Sequence, residues 1–230
     1  ISHYFCLNKE KMVVELENPF ILIYDKKIST LNEIKSLVEI IANNKRSLLI
    51  IADDLDAEIL KTLVLNNDKQ TLVSCAIKAP SFGEEKISIL EDIAINTGGQ
   101  LISFDKGFKI ESATINMLGT CKKAIINKNS CILIDGGGKD EDIQNHIKSL
   151  KLMHDSITEK IEKDKINDRI SSLTNSIAEI QIGGITETEI KEKKDRIDDA
   201  ICATRSALEE GYVSGGGATL LMASFILDEK

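Results

Sequence analysis

Asp53 and Asp54 directly follow the apolar run Ser47-Leu48-Leu49-Ile50-Ile51-Ala52, and Asp135 follows another, Ser130 to Ile134. If both runs are strands of one sheet, three carboxylates at its edge could hold Mg²⁺ and support phosphoryl transfer. The same residue types also end strands and cap the next helix without any chemistry, and spacing alone favours that plainer reading. Gly136-Gly137-Gly138-Lys139 lies between a strand and a helix but lacks the spacing and the Lys-Ser/Thr ending of a phosphate loop, so a tight turn accounts for it. Gly215-Gly216-Gly217 precedes an apolar helix whose free amides could face an anion, or whose bare backbone could admit a flat ligand. Asp198 and Asp199 fall mid-helix and cannot share a face; surface acids are the plainer reading, one carboxylate turned inward the alternative. Cys6, Cys75, Cys121, Cys131 and Cys202 form no C-x-x-C pair, and only His3, His146 and His154 could complete a metal shell. That is not zinc spacing, and the thiols read as reduced, mostly small core residues.

The elements that must position these residues follow from periodicity. Phe20-Ile21-Leu22-Ile23-Tyr24 reads as a buried strand, and Thr30 with Glu33 forms a capping box before Leu31, Ile34, Leu37, Val38 and Ile41 at helical spacing. A second strand spans 47–52, Asp56 caps a helix through about Asn66, a third strand spans 71–77, and a helix near 84–96 ends at Gly98 before a strand at 100–104. This alternation calls for a parallel sheet covered by helices. From 122 a hairpin-like pair, 122–126 and 130–134, gives way to charged helices near 139–154 and 157–173, a short strand at 179–182, a long helix at about 186–210 and an apolar helix from Ala218.

Two helices carry more apolar residues than one stripe holds. In Ile59-Leu60-Lys61-Thr62-Leu63-Val64-Leu65, Ile59 and Leu63 share a stripe while Leu60, Val64 and Leu65 spread beyond it; Ile34, Leu37, Val38, Ile40 and Ile41 do the same. Either these helices are buried on every side or they offer an apolar groove to a partner. The 230 residues make one large domain or two small ones, and 42% apolar with 29% charged content excludes wholesale disorder. A net charge of −8 argues against nucleic acid and anionic lipid, and no apolar run has membrane-spanning length. The chain, which opens on Ile1, reads as a piece of a longer protein.

The runs Val14-Glu15-Leu16-Glu17-Asn18-Pro19-Phe20-Ile21-Leu22, Asp25-Lys26-Lys27-Ile28-Ser29, Leu48-Leu49-Ile50-Ile51-Ala52 and Lys78-Ala79-Pro80-Ser81-Phe82-Gly83 resemble the group I chaperonin family. Thr186-Glu187-Thr188-Glu189, Lys191 to Arg196, Asp198-Asp199-Ala200 and Glu209 to Gly217 extend the likeness over essentially the whole chain in the same order. The resemblance implies an α/β apical domain at 1–177, with a parallel-containing sheet flanked by helices. It further implies a mostly helical intermediate-domain segment at 178–209 and the start of a second equatorial segment at 210–230. It implies an apolar groove of Tyr4, Phe5, Val38, Leu60, Val64 and Leu65 that takes non-native polypeptide and then the mobile loop of a co-chaperonin. It also implies a homo-oligomeric, heptameric ring, in a bacterial cytoplasm or the lumen of a mitochondrion or plastid-like organelle.

By the same resemblance Asp199 is the intermediate-domain aspartate that helps activate the attacking water, and Gly216 a backbone contact to the nucleotide. ATP and Mg²⁺ belong to the full-length protein. The family's phosphate loop and metal-binding aspartate lie outside this sequence, so this chain alone is expected neither to hold nucleotide nor to hydrolyse it. Lys35 stands where the family usually places a groove leucine, Ser81 at a usual glycine, Glu84-Glu85 in a usually more basic stretch, and Asn175-Ser176 at a hinge glycine pair.

Overall fold

The structure is a computed structural model that describes residues 13–103, 107–127, 130–174, 180 and 182–228. The chain divides into two compact units, Ile1–Ile177 and Ala178–Lys230. In the first, strands β1 (Val14–Glu17), β2 (Phe20–Tyr24) and β3 (Lys27–Ile28) lead into helix α1 (Leu31–Asn43). Strands β4 (Leu48–Ala52) and β5 (Asp54–Leu55), helix α2 (Ala57–Asp68), β6 (Ser74–Lys78), α3 (Gly83–Thr97) and β7 (Leu101–Ile102) follow. Two single 3-10 turns, Ile110–Ser112 and Ile115–Met117, precede β8 (Gly119–Ile126), β9 (Cys131–Gly136), α4 (Asp140–Ser156) and α5 (Lys160–Thr174).

The alternating elements do build parallel pairs: β2 lies beside β4 with Ile21 opposite Leu49, and β4 beside β6 with Ile50 opposite Ala76. These strands are near-continuous Ile and Leu because both faces are covered, and β4 is buried at every position. The connection through α3 runs back past β2 to β7, and α3 packs on β2, β7 and β8; by the right-handed rule for parallel crossovers this sets α3 on the face opposite α1 and α2. The α/β class with a sheet of parallel strands flanked by helices is therefore as expected.

The stretch from 119 extends the sequence reading. The hairpin expected there forms, with β8 antiparallel to β9, but β8 begins three residues earlier than its apolar pattern, and Gly119 and Thr120 pair antiparallel with Ile21 and Phe20. Its remainder pairs with both β1 and β9, making the sheet mixed and, among the described residues, seven-stranded. The strand expected at 100–104 shortens to Leu101–Ile102, with 104 outside the described residues; α5 starts at Lys160 rather than 157; and Ile180 and Ile182 are not in a strand, Glu179 and Gln181 being outside the described residues.

Both glycine readings resolve into backbone packing. Gly98 ends α3 at φ +70, and its amide bonds to Ile95 O. A Cβ there would stand 2.7 Å from the Gly137 carbonyl oxygen. Gly137 N donates to Thr120 O at 2.8 Å and Gly138 N to Asn96 O at 3.0 Å, so the triple glycine lets the end of β9 run against the end of α3. Cys75 and Cys121 are core residues as expected and Cys131 is half-buried, but Cys202 is exposed; Cys6 is outside the described residues. Burial pushes the Cys121 and Cys131 thiols up to about 11 and about 12.

The second unit, described by itself, holds α6 (Glu187–Glu210), whose N-cap Thr186 accepts from Glu189 N at 3.2 Å, and α7 (Ala218–Asp228). Among the described residues no helix is long and apolar enough to cross a membrane. Gly98→Ala should lower unfolding free energy by more than about 1 kcal/mol in urea titration, through left-handed strain and the clash with Gly137. Gly183→Ala, whose Cβ meets nothing within 4 Å, should stay within about 0.5 kcal/mol of the parent.

Candidate functional site

The apolar surplus on α1 and α2 is where sequence and structure meet. Each helix is held at its start by its own polar residues. Glu33 Oε1 accepts from the Thr30 amide and the Thr30 hydroxyl, both at 2.8 Å, at the head of α1. Asp56 accepts from Ala57 N at 2.8 Å and pairs with Lys27 at 3.4 Å at the head of α2. The Ala57 amide first, then Lys27, hold the Asp56 carboxyl below its ordinary range, so this cap is complete at neutral pH and is lost as pH falls through the lowered value. At the far end of α2, buried Asn67 donates through Nδ2 to Ser74 O at 2.8 Å and accepts from Ser74 N at 2.6 Å, which fixes the helix to β6.

So anchored, each helix turns one stripe to the sheet. Ile34, Leu37 and Ile41 of α1 and Ile59 and Leu63 of α2 are fully buried in the contiguous core. The next positions round are only half covered: Val38, Leu60 and Val64 rest against the core edge. At 100° per residue Leu65 lies about 200° round from Leu63, away from the sheet. It is 56% exposed, and Ile40 on α1 is 43% exposed. Of the two alternatives left by the sequence, burial on every side is thereby excluded. Lys35 is also exposed on α1; Tyr4 and Phe5 lie outside the described residues.

The three acids of the rival phosphoryl-transfer centre are not brought together. Asp53 follows the last residue of β4, at the carboxyl ends of the parallel strands, and Asp54 forms the two-residue strand β5. Asp135 is one residue from the Gly136–Cys121 pair, beside the segment of β8 that faces the start of β2, and so lies at the opposite end of the sheet. Each is paired with a lysine: Asp53 with Lys86 at 3.2 Å, Asp54 with Lys78 at 3.4 Å and Asp135 with Lys122 at 3.6 Å. Among the described residues there is no group of three or more His, Cys, Asp or Glu arranged to hold a metal ion.

In the second unit neither Asp198 nor Asp199 turns inward; both are exposed, as is every turn of that face of α6. Gly216 sits in the turn before α7 at φ +65, with nothing within 4 Å of where a Cβ would stand. Sequence reasoning missed a buried carboxylate outside these sites, Asp92 on α3, which collects Arg169 and His146 from two other helices. His146 had entered only as a stray metal ligand.

An α/β domain that leaves aliphatic side chains uncovered on two neighbouring helices has the makings of a protein-binding module. A sequence model of the TCP-1/cpn60 chaperonin family matches residues 6–230. The chain belongs to that family, whose members in general act on client polypeptides as oligomeric rings. Its role is accordingly that of a chaperonin.

The burial pattern separates structural from surface positions within one helix. Leu63→Ala should cost about 2–5 kcal/mol, as buried leucine deletions do, whereas Leu65→Ser should change stability by less than about 0.5 kcal/mol. Urea denaturation of both variants checks the difference.

Proposed function

We propose that the chain is the apical domain, with part of the intermediate domain and the start of a second equatorial segment, of a group I chaperonin. On this reading residues 1–177 bind non-native polypeptide, 178–209 transmit nucleotide-driven motion and 210–230 begin the equatorial segment. The observation that carries it is the uncovered strip on α1 and α2: Val38, Leu60 and Val64 half-buried and Leu65 open, beside a core stripe already complete without them.

Such a strip suits clients of many sequences, because hydrophobic burial is non-directional. One buried aliphatic side chain contributes about 1.5–3 kcal/mol, and the cost of ordering an unfolded segment leaves a single site weak. Repetition around a heptameric ring multiplies weak sites into strong capture. A co-chaperonin mobile loop competing for the same strip then frees the client. Tyr4 and Phe5 extend the strip on this reading, and exposed Lys35 sets a charged head at its rim.

ATP and Mg²⁺ act in the full-length ring, where they supply the phosphoryl-transfer chemistry. The residues here are compatible with a share in that site: Asp199 presents an exposed carboxylate able to orient a water, and the bare backbone of Gly216 permits close approach of a nucleotide. Isolated from the rest of the protein, the chain is inactive as an ATPase on this reading.

Replacing Val64 and Leu65 together by Ser should reduce capture of a chemically denatured client by at least about tenfold while the far-ultraviolet spectrum stays unchanged, judged by co-sedimentation with the assembled protein. Unchanged capture would remove the groove assignment. In the full-length ring, Asp199→Ala should slow ATP turnover by about 10²-fold or more with ATP affinity held within a few-fold, and equal loss of both would contradict the assigned role.

A further inference from the structure

Helices α4 and α5 pack against each other as a hairpin that rests on α3, yet they contribute little to the interior. Of their 17 and 15 residues only Ile147, Leu150 and Ile166 are buried, and none of these belongs to the contiguous core formed by the sheet with α1, α2 and α3. Along the seam with α3 lies an open cleft of about 290 Å³ whose lining includes Ile89, Ile93 and Leu173. Apolar packing here is thin and discontinuous.

What bridges the seam is charge. Asp92 of α3, 6% exposed, accepts from Arg169 Nε at 2.6 Å and Nη2 at 2.8 Å, a two-pronged grip from α5. His146 of α4 donates through Nε2 to the same carboxylate at 2.6 Å. Arg169 Nη2 also reaches Ser88 O at 3.5 Å, and Lys165 pairs with Glu85 at 3.0 Å nearer the surface. One buried carboxylate thus gathers both helices of the hairpin, and a buried charge stripped of its partners is strongly disfavoured.

We propose that the α4–α5 hairpin is a latched element that opens from α3 as one unit, with Asp92 as its catch, while the sheet and the α1–α2 face stay folded. The interactions that would resist opening are few, namely the Asp92 cluster, the Lys165–Glu85 pair and the burial of Ile147, Leu150 and Ile166, whereas those that hold the sheet are spread over a continuous core, so the two come apart at different free energies. Arg169 and His146 are positioning residues in this device.

Amide hydrogen exchange of the 230-residue chain, read by mass spectrometry, tests it. Helices of this length and charge are marginal once undocked, so opening registers as lost protection. In the unmodified chain, peptides from α4 and α5 should exchange through a faster opening than those from β2 and β4. Arg169→Lys, which keeps the charge but loses the planar fork, should accelerate exchange in α4 and α5 by about tenfold and leave β2 and β4 within about twofold. Arg169→Leu should exaggerate the difference; if it does not fold, the lysine variant and the unmodified chain still decide. Equal acceleration of hairpin and strands, or no acceleration in Arg169→Lys, would overturn the latch.

Discussion

A helix laid on a sheet can bury one stripe of side chains, and α1 and α2 each carry more aliphatic residues than one stripe holds. The consequences run through the first unit. Ile34, Leu37, Ile41, Ile59 and Leu63 are buried beneath the helices, while Val38, Leu60 and Val64 pack against the edge of that core and stay partly uncovered and Leu65 is exposed. The caps at Thr30 and Asp56 and the Asn67–Ser74 pair fix the rotation of each helix about its own axis, and hence which side chains stay outside. A surface of this kind persists only on a scaffold rigid enough not to collapse over it, and the fully buried β4 with its neighbours supplies that rigidity.

The chain belongs to the TCP-1/cpn60 chaperonin family, and under the proposed function the uncovered strip is where it meets clients, since handling many unfolded chains needs affinity without sequence preference. The strip lies in the unit that ends at Ile177, while Asp199 and Gly216, which the proposed function assigns to the nucleotide, lie in the other. Under the proposed function, communication between the two passes along the covalent path through α4 and α5, which is the part of the first unit least integrated with its core.

Much of the scaffold was legible because its signals are local. The capping box at Thr30 and Glu33, the glycine that ends α3 and the unbroken aliphatic runs of β2 and β4 each announce an element within a few residues. Their alternation then dictates parallel pairing. The start of β8 was not legible, because Gly119 and Thr120 carry no strand signal of their own and are extended by pairing with Ile21 and Phe20, about a hundred residues earlier in the chain. The Asp92 cluster escaped for the same reason. Arg169 stands 77 positions from Asp92 in sequence, and no local pattern distinguishes either from the many charges on helix surfaces around them. The Asp53, Asp54 and Asp135 grouping failed because residues at the ends of strands were assigned to one edge before strand direction was known; the antiparallel run of β8 carries Asp135 to the other end.

The central claim is that the side chains left outside the core on α1 and α2 are the ones that meet an unfolded polypeptide. Methyl-selective nuclear magnetic resonance of the chain, titrated with a permanently unfolded polypeptide, reads those side chains individually. The account predicts that the methyl signals of Val38, Leu60, Val64 and Leu65 shift or broaden first, while those of Ile59 and Leu63 beneath them change little. Perturbations that bypass these four residues and gather on another face would contradict it.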